Sequence, residues 1–446
     1  VCGLKTHIPN VLFFFEKPPR QNMKGVIYMK KLLKLFIICL VVVFASSSLY
    51  VQEGLATSQS DFNRRAVDFK VINGRSFIST DEIYEFGVSV KNEYSSTIVS
   101  NEDVTMTFYL DSNKVKVNNI DLTVDCKTFK EDNKIYLPYR FLLETLNYSI
   151  IWDSGAGIVK YEKISDDTYK YPITIKNGDN EMVIEKEPSK IISLAPGVTE
   201  KLFEIGAGDK VVGRTQYCDY PKEVENIKNV GTLYEPNIEV IVDIQPEIAI
   251  AETHFKQEIL DKLNEAGIIS ISSATPNKVE GIYAQIIQLG KIVNRNYEAR
   301  ALVSSMKSKV QKVKYVLNNQ SNLNKPSIYY VVGTGQYGEY TAGSDTFIAD
   351  IIRTVGATNI AADVTGWKYS VEKVIDKDPD IIVGNETNVD AMINNNNYSI
   401  LTAVNQKSYY KVDNNIFDRS SPRSINEGLK ILFNIVHSDL TKKLGF

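Results

Sequence analysis

Histidine is nearly missing from this chain: 446 residues hold three, His7, His254 and His437. Zinc and redox-metal sites draw several histidines or thiolates together, so no resident metal and no cofactor of its own is expected. Cysteine is as scarce, with four in all. Cys39 sits inside an apolar run behind Ile38, not behind the small residue that a lipid-acceptor site wants. Only Cys126 and Cys218 follow that run, and a chain of this size can hold its cores without disulfides. There is no G-x-S-x-G elbow and no H-E-x-x-H, and Cys218 has no histidine beside it. GTGQYG (Gly333–Gly338) is glycine-rich, but its spacing is not G-x-G-x-x-G, and EYTAG separates it from any following helix. No catalytic constellation assembles, so an enzyme is not expected. Basic runs are also missing after the amino terminus, and the net charge is −3, which argues against nucleic acid as a partner.

What the chain has is 43% hydrophobic and 24% charged residues, enough for cores in two or three domains. Its 25 tyrosines suit wet, amphipathic binding surfaces. From Met29 the sequence reads MKKLLKLFIICLVVVFASSSLYVQEGLA: a basic head, an apolar run from Leu32 to Ala45, then small and polar residues. That pattern predicts a signal peptide over 29–56, cut between Ala45 and Ala56. The run is short of the roughly 20 residues that a membrane span needs. Residues 1–28 are expected to be absent from the mature protein, which would be extracytoplasmic, on the cell surface or wall.

Residues 67–163 contain two copies of a unit of about 60 residues. NGRSFIS (Asn73–Ser79) matches DNKIYLP, and GVSVKNEYSSTIVS (Gly87–Ser100) matches NYSIIWDSGAGIVK (Asn147–Lys160). Each copy reads as strand, short helix, strand, strand. Residues 164–187 are polar and form a linker, with a hairpin turning at Asn177-Gly178-Asp179. From 188 to 446 strands alternate with helices, which predicts a mostly parallel sheet in each of two lobes, 188–292 and 325–446. Between them, Ala299, Leu302, Met306, Val310, Val313 and Leu317 keep helical spacing over 296–318 and predict one long bridging helix. The fold class is therefore α/β: two Rossmann-like lobes on one long helix, preceded by a small α+β repeat module.

The lobes also match each other. EVIVDIQPEIAI and EKVIDKDPDIIV lie 133 residues apart, each a helix running into a proline and then a buried strand. Glu239 and Glu372 fall in the first turns, after the caps Asn237 and Ser370. They either serve the helix dipole or form two equivalent acidic posts for a two-fold basic partner. Loops after strand ends, where ligands meet such sheets, are rich in aromatics: Tyr217 and Tyr220 in QYCDYP, Tyr234, Tyr337, Tyr340, Trp367 and Phe417. Singly each could be packing. Together, from both halves, they point to a cleft.

SLAPGVTEKLFEIGAGDKVVG, QYCDYP, NVGTLYEPNIEVIVDIQPEIAIAE, YTAGSDTFIADIIRTVGATNI, GWKYSVEKVIDKDPDIIV and FDRSSPRSINEGL occur in this order. The set, from Pro188 to Phe446, resembles the substrate-binding proteins of cobalamin and iron-siderophore ABC importers, with the cobalamin branch favoured. The resemblance implies a ligand cleft lined by Ala195, Pro196, Tyr217, Tyr340 and Arg419, to which the aromatic loops add Tyr234, Trp367 and Phe417. It implies docking of Glu239 and Glu372 on a permease dimer, a monomeric binding protein, and cobalamin or a related corrinoid as bound ligand. A ferric siderophore or haem is the alternative, and a wall-associated adhesion protein the second. Leu233 and Glu252 stand where some cobalamin binders carry tryptophan, Trp367 is one position from the expected aromatic, and Asn415 replaces an aspartate. LPYRFLLETLNYSIIWD in the repeat is similar to the amino-terminal stalk domain of copper amine oxidases, without histidines to hold copper, and implies a spacer.

Overall fold

The computed structural model describes residues 69–446, apart from 154–157, 165–170, 179, 253–255 and 336–337. The leader, the segment before it, His7, His254 and Tyr337 therefore lie outside the described residues.

The repeat shapes the amino-terminal module. Strands Arg75–Ser79 and Lys134–Pro138, one from each copy, pair antiparallel with Ile78 opposite Leu137. Each runs into a short helix, Thr80–Phe86 or Tyr139–Thr145, and then a hairpin, Ser89–Asn92 with Ser96–Ser100 or Tyr148–Asp153 with Ile158–Lys163. The first hairpin is extended into a five-stranded sheet that ends with Ile120–Thr123. Period-2 alternation in the strands and the apolar faces of the helices put Ile83, Phe86, Phe108, Tyr139 and Leu142 into one core.

The first lobe is a five-stranded parallel sheet. In spatial order its strands are Lys228–Asn229, Val211–Arg214, Ile191–Ser193, Ile248–Glu252 and Ile269–Ser273. The chain winds one way from Ile191–Ser193 and then the other, as in a doubly wound sheet. In the second lobe, Ser327–Gly333 runs parallel to Ile381–Gly384 and antiparallel to Glu339–Thr341. The hairpin Ile173–Asn177 with Asn180–Ile184 lies beside the first lobe: Asn177 accepts from the Ser272 amide (2.9 Å) and donates to the Ser270 carbonyl (3.1 Å).

The bridging helix spans Asn296–Asn318, 23 residues, or about 34 Å at 1.5 Å per residue. Its apolar stripe is buried, as the spacing predicts, with Val310 only partly so. Ser304, Ser305, Ser308, Lys309 and Glu298 on its other faces are buried as well. The repeat module packs along this helix and covers part of this set, while Lys309 donates to Asn426 (2.8 Å) of the carboxy-terminal segment. Ser305 donates to the Thr123 carbonyl (2.7 Å), Arg300 to the Thr145 carbonyl (3.1 Å), and Asn118 to Glu298 (2.9 Å). A spacer was the expectation. In the structure the module packs along the bridging helix, and the described residues between 69 and 446 fall in a single compact unit.

Candidate functional site

Where a parallel sheet reverses its winding, the loops leaving adjacent strands diverge and open a crevice at their carboxyl ends. That point lies between Ile191–Ser193 and Ile248–Glu252. Ala195 and Pro196 follow the first strand, Glu252 ends the second, and all three line a cavity of 450 Å³. Leu233 belongs to the same wall. Facing it from the second lobe are Asp345, Phe347 and Trp367, joined by Asp418, Arg419 and Ser420 from the carboxy-terminal segment.

Backbone geometry sets the two sides. The Thr341 amide donates to the Trp367 carbonyl (2.7 Å) and the Gly343 amide to the Gly366 carbonyl (2.9 Å). A Cβ on Gly343 would come 2.4 Å from that Gly366 oxygen, so the turn that presents Trp367 needs glycine. On the opposite side, a Cβ on Gly197 would meet Glu252 Oε2 at 2.9 Å. Glycine there lets the carboxylate close over the start of the helix Pro196–Glu204.

The positive charge in the cleft is already paired. Arg419 is the one cationic side chain among the described residues that line it. Its guanidinium donates to both oxygens of Asp219 (2.5 and 3.0 Å), to Glu200 (3.1 Å), to Asn415 (2.7 Å) and to the Tyr217 carbonyl (3.2 Å). Behind it, Arg423 binds Glu200 (3.0 and 2.8 Å) and lies 3.9 Å from the ring centre of Tyr220. Glu200 is 0% exposed. Hydrogen bonds from Arg419 hold the Asp219 carboxyl below the usual aspartate range. A second pair lies below the floor: Lys201, 1% exposed, binds Glu252 (2.9 Å), which also accepts from Ser420 (2.7 Å). Because residues 415–423 reach these first-lobe groups, the network ties the two lobes together.

The expected site residues divide. Ala195, Pro196, Trp367 (38% exposed) and Arg419 line the cavity. Tyr217 and Tyr234 are exposed at 43% and 55% but lie outside its wall. Tyr217 reaches it through the carbonyl that holds Arg419. Tyr340 is half-buried beside Trp367, opposite Lys368 in the sheet. Phe417 is a correction: it is 0% exposed, packs 6.0 Å from the Tyr330 ring and belongs to the core. The short helix Asn414–Phe417 turns that face inward. QYCDYP contributes chiefly through Asp219. Cys218 is buried, accepts from the Thr199 hydroxyl (3.1 Å), and burial pushes its thiol up, so it stays a thiol. Cys126 and Cys218 are both free, and no group of three or more metal-ligating side chains occurs among the described residues.

Sequence reasoning missed Asp219, Glu200 and Lys201. Asp219 had a signal, since it sits in the same quoted hexapeptide as Tyr217. Glu200 and Lys201 had none, because a charged pair on a short helix reads as solvent-facing. Glu239 and Glu372 are exposed in the first turns of Ile238–Ile244 and Val371–Lys377. Asn237 and Ser370 cap these helices, accepting from Val240 (3.0 Å) and Lys373 (3.2 Å). Both helices end in left-handed residues, Gln245 and Asp378.

Two α/β lobes joined by a long helix, with a pre-formed cleft between them, define a protein that captures a small molecule. The chain belongs to the periplasmic binding protein family, which matches residues 191–416. Residues 62–161 match the copper amine oxidase N-terminal domain. An uncharacterized ABC transporter substrate-binding lipoprotein of Bacillus subtilis is 32% identical over 290 residues, 64% of this chain and 91% of that protein. A cobalamin-binding protein of Halobacterium salinarum is 26% identical over 226 residues, 49% of this chain and 60% of that relative. Among solved structures, a possible iron-binding (periplasmic solute-binding) protein from Staphylococcus epidermidis has a TM-score of 0.51 at 28% identity, covering 56% of this chain and all of that one (100%). Substrate-binding proteins of this family work outside the cytoplasm, and binding rather than turnover is their role. Among the described residues, no helix is long and apolar enough to cross a membrane.

Proposed function

We propose that this protein captures cobalamin or a related corrinoid outside the cytoplasm and delivers it to an ABC permease, without chemistry of its own. The excess of carboxylates over cations in the cleft carries this reading. Its wall holds three carboxylates, Glu252, Asp345 and Asp418, against one guanidinium that Asp219 and Glu200 already neutralise. Among the described residues of the wall, an anionic ligand such as a carboxylate-bearing haem or a catecholate siderophore finds no spare cation. A corrinoid rim is studded with neutral amides, which donate to carboxylates, while Trp367 and Leu233 offer apolar contact to the ring. The cobalamin-binding relative from Halobacterium supports the same choice. Delivery rests on Glu239 and Glu372, exposed in matching frames on the two lobes and suited to a two-fold basic surface.

The iron-binding description of the Staphylococcus structure favours ferric complexes as the second reading. Calorimetric titration of the mature chain with cyanocobalamin separates the two. The expected result is one-to-one binding at micromolar affinity or tighter, with quenching of tryptophan emission. Absence of heat with cyanocobalamin, together with saturable binding of haemin or a ferric siderophore, would transfer the assignment.

A further inference from the structure

A second cavity, 480 Å³ in volume, lies between the repeat module and the transport lobes, away from the cleft. Glu144 comes from the module, Tyr283 from the helix Val279–Ile292, and Ser304 from the bridging helix; all three help to form its wall. Glu144 Oε2, the Tyr283 hydroxyl and the Ser304 hydroxyl are buried without a hydrogen-bond partner. Tyr283 and Ser304 are 7% and 1% exposed. Buried polar atoms are costly when left unpaired, and three around one cavity form a cluster rather than scatter. Burial pushes the Tyr283 phenol up, and Glu280, Asp350 and Glu144 push it further, so it remains a hydrogen-bond donor.

The rest of the wall selects the chemistry. Lys291, Arg300 and Lys307 line it against the single carboxylate of Glu144. Lys307 makes no ion pair or hydrogen bond within the described residues. Tyr148 adds an aromatic side chain. Cations for a carboxylate, a carboxylate and two hydroxyls for hydroxyl groups, and an aromatic ring for an apolar sugar face describe one ligand class.

We infer that this cavity is a second binding site, formed jointly by the repeat module and the transport lobes, for a sugar acid, free or as a residue of an acidic glycan. The module would then contribute recognition of its own, independent of the cleft.

The test uses the full mature chain, titrated by calorimetry and saturation-transfer NMR with glucuronate and N-acetylmuramate, and with glucose as the uncharged control. A hyaluronan tetrasaccharide distinguishes a glycan residue from the free acid. The expected result is saturable binding of an acid or the tetrasaccharide, about tenfold or more tighter than glucose. Tyr283→Phe and Lys307→Gln should each weaken it about tenfold while leaving the cyanocobalamin titration unchanged. Lys307 is half-exposed, so its variant keeps the fold. No saturable signal from any acidic probe overturns the inference, as does binding that neither variant moves. Sugar-acid binding without cyanocobalamin binding would sink the corrinoid reading and leave this site standing.

Discussion

Lys201 carries a charge into the interior with Glu252 as its counter-ion, and Gln285 (2.5 Å) as a neutral partner. A buried pair gives little net stability, but removing one member strands the other. Glu252→Gln should therefore cost about 3 kcal/mol, read as a lower denaturant midpoint in urea unfolding. At the lobe entry, burial alone would raise the Glu247 carboxyl. Lys186, the amide and hydroxyl of Ser189, and the Lys190 amide bond it instead and hold it at about 2, against an ordinary 4.5. A depressed carboxylate adds stability above its unfolded pKa and loses it as pH falls through the folded one. The melting-temperature gap between wild type and Glu247→Gln should be full at pH 6 and should close between pH 4.5 and about 2. In the cleft, Trp367→Ala removes the largest exposed apolar surface of the wall. Cyanocobalamin affinity should fall about tenfold or more, or about 1.4 kcal/mol, in the same calorimetric titration.

Among the elements, the two matched helices are the pair whose geometry bears on delivery. Ile238–Ile244 and Val371–Lys377 share a capping side chain, an acidic first turn, a single buried position (Ile241 in one, Val374 in the other) and a left-handed end. The double variant Glu239→Ala, Glu372→Ala should leave ligand affinity unchanged and reduce uptake by cells or permease-containing vesicles at least tenfold. Uptake at the wild-type rate would remove the docking proposal. Elements of this kind were legible because their signals are local: Asn237 and Ser370 cap, and the bridging helix follows its apolar spacing over Asn296–Asn318. Phe417 was misplaced because nothing local tells an aromatic that lines a cleft from one that fills the core behind it.

For the whole molecule, the packing of the module on the bridging helix has a measurable consequence. Residues 188–446 alone would expose Glu298, Ser304 and Ser305, which the intact chain buries, and would lose bonds such as Ser305 to Thr123 and Asn118 to Glu298. That fragment should melt several degrees below the chain that retains the module and should bind more of a hydrophobic dye. Equal melting temperatures would mean that the module adds no stability to the lobes.

Periodicity, turn residues, the internal repeat and the 133-residue correspondence are written along the chain, so the sequence by itself determined the elements, the two-lobed class and the pair of exposed glutamates. Which charges neutralise one another was decided only in three dimensions. Arg419 meets Asp219 and Glu200 from far along the chain, and Lys201 meets Glu252 and Ser420 beneath the cleft. The same holds for the serines of the bridging helix, whose burial depends on a module folded from a distant part of the chain. Local patterns record how a segment meets solvent or core; they do not record which partner arrives.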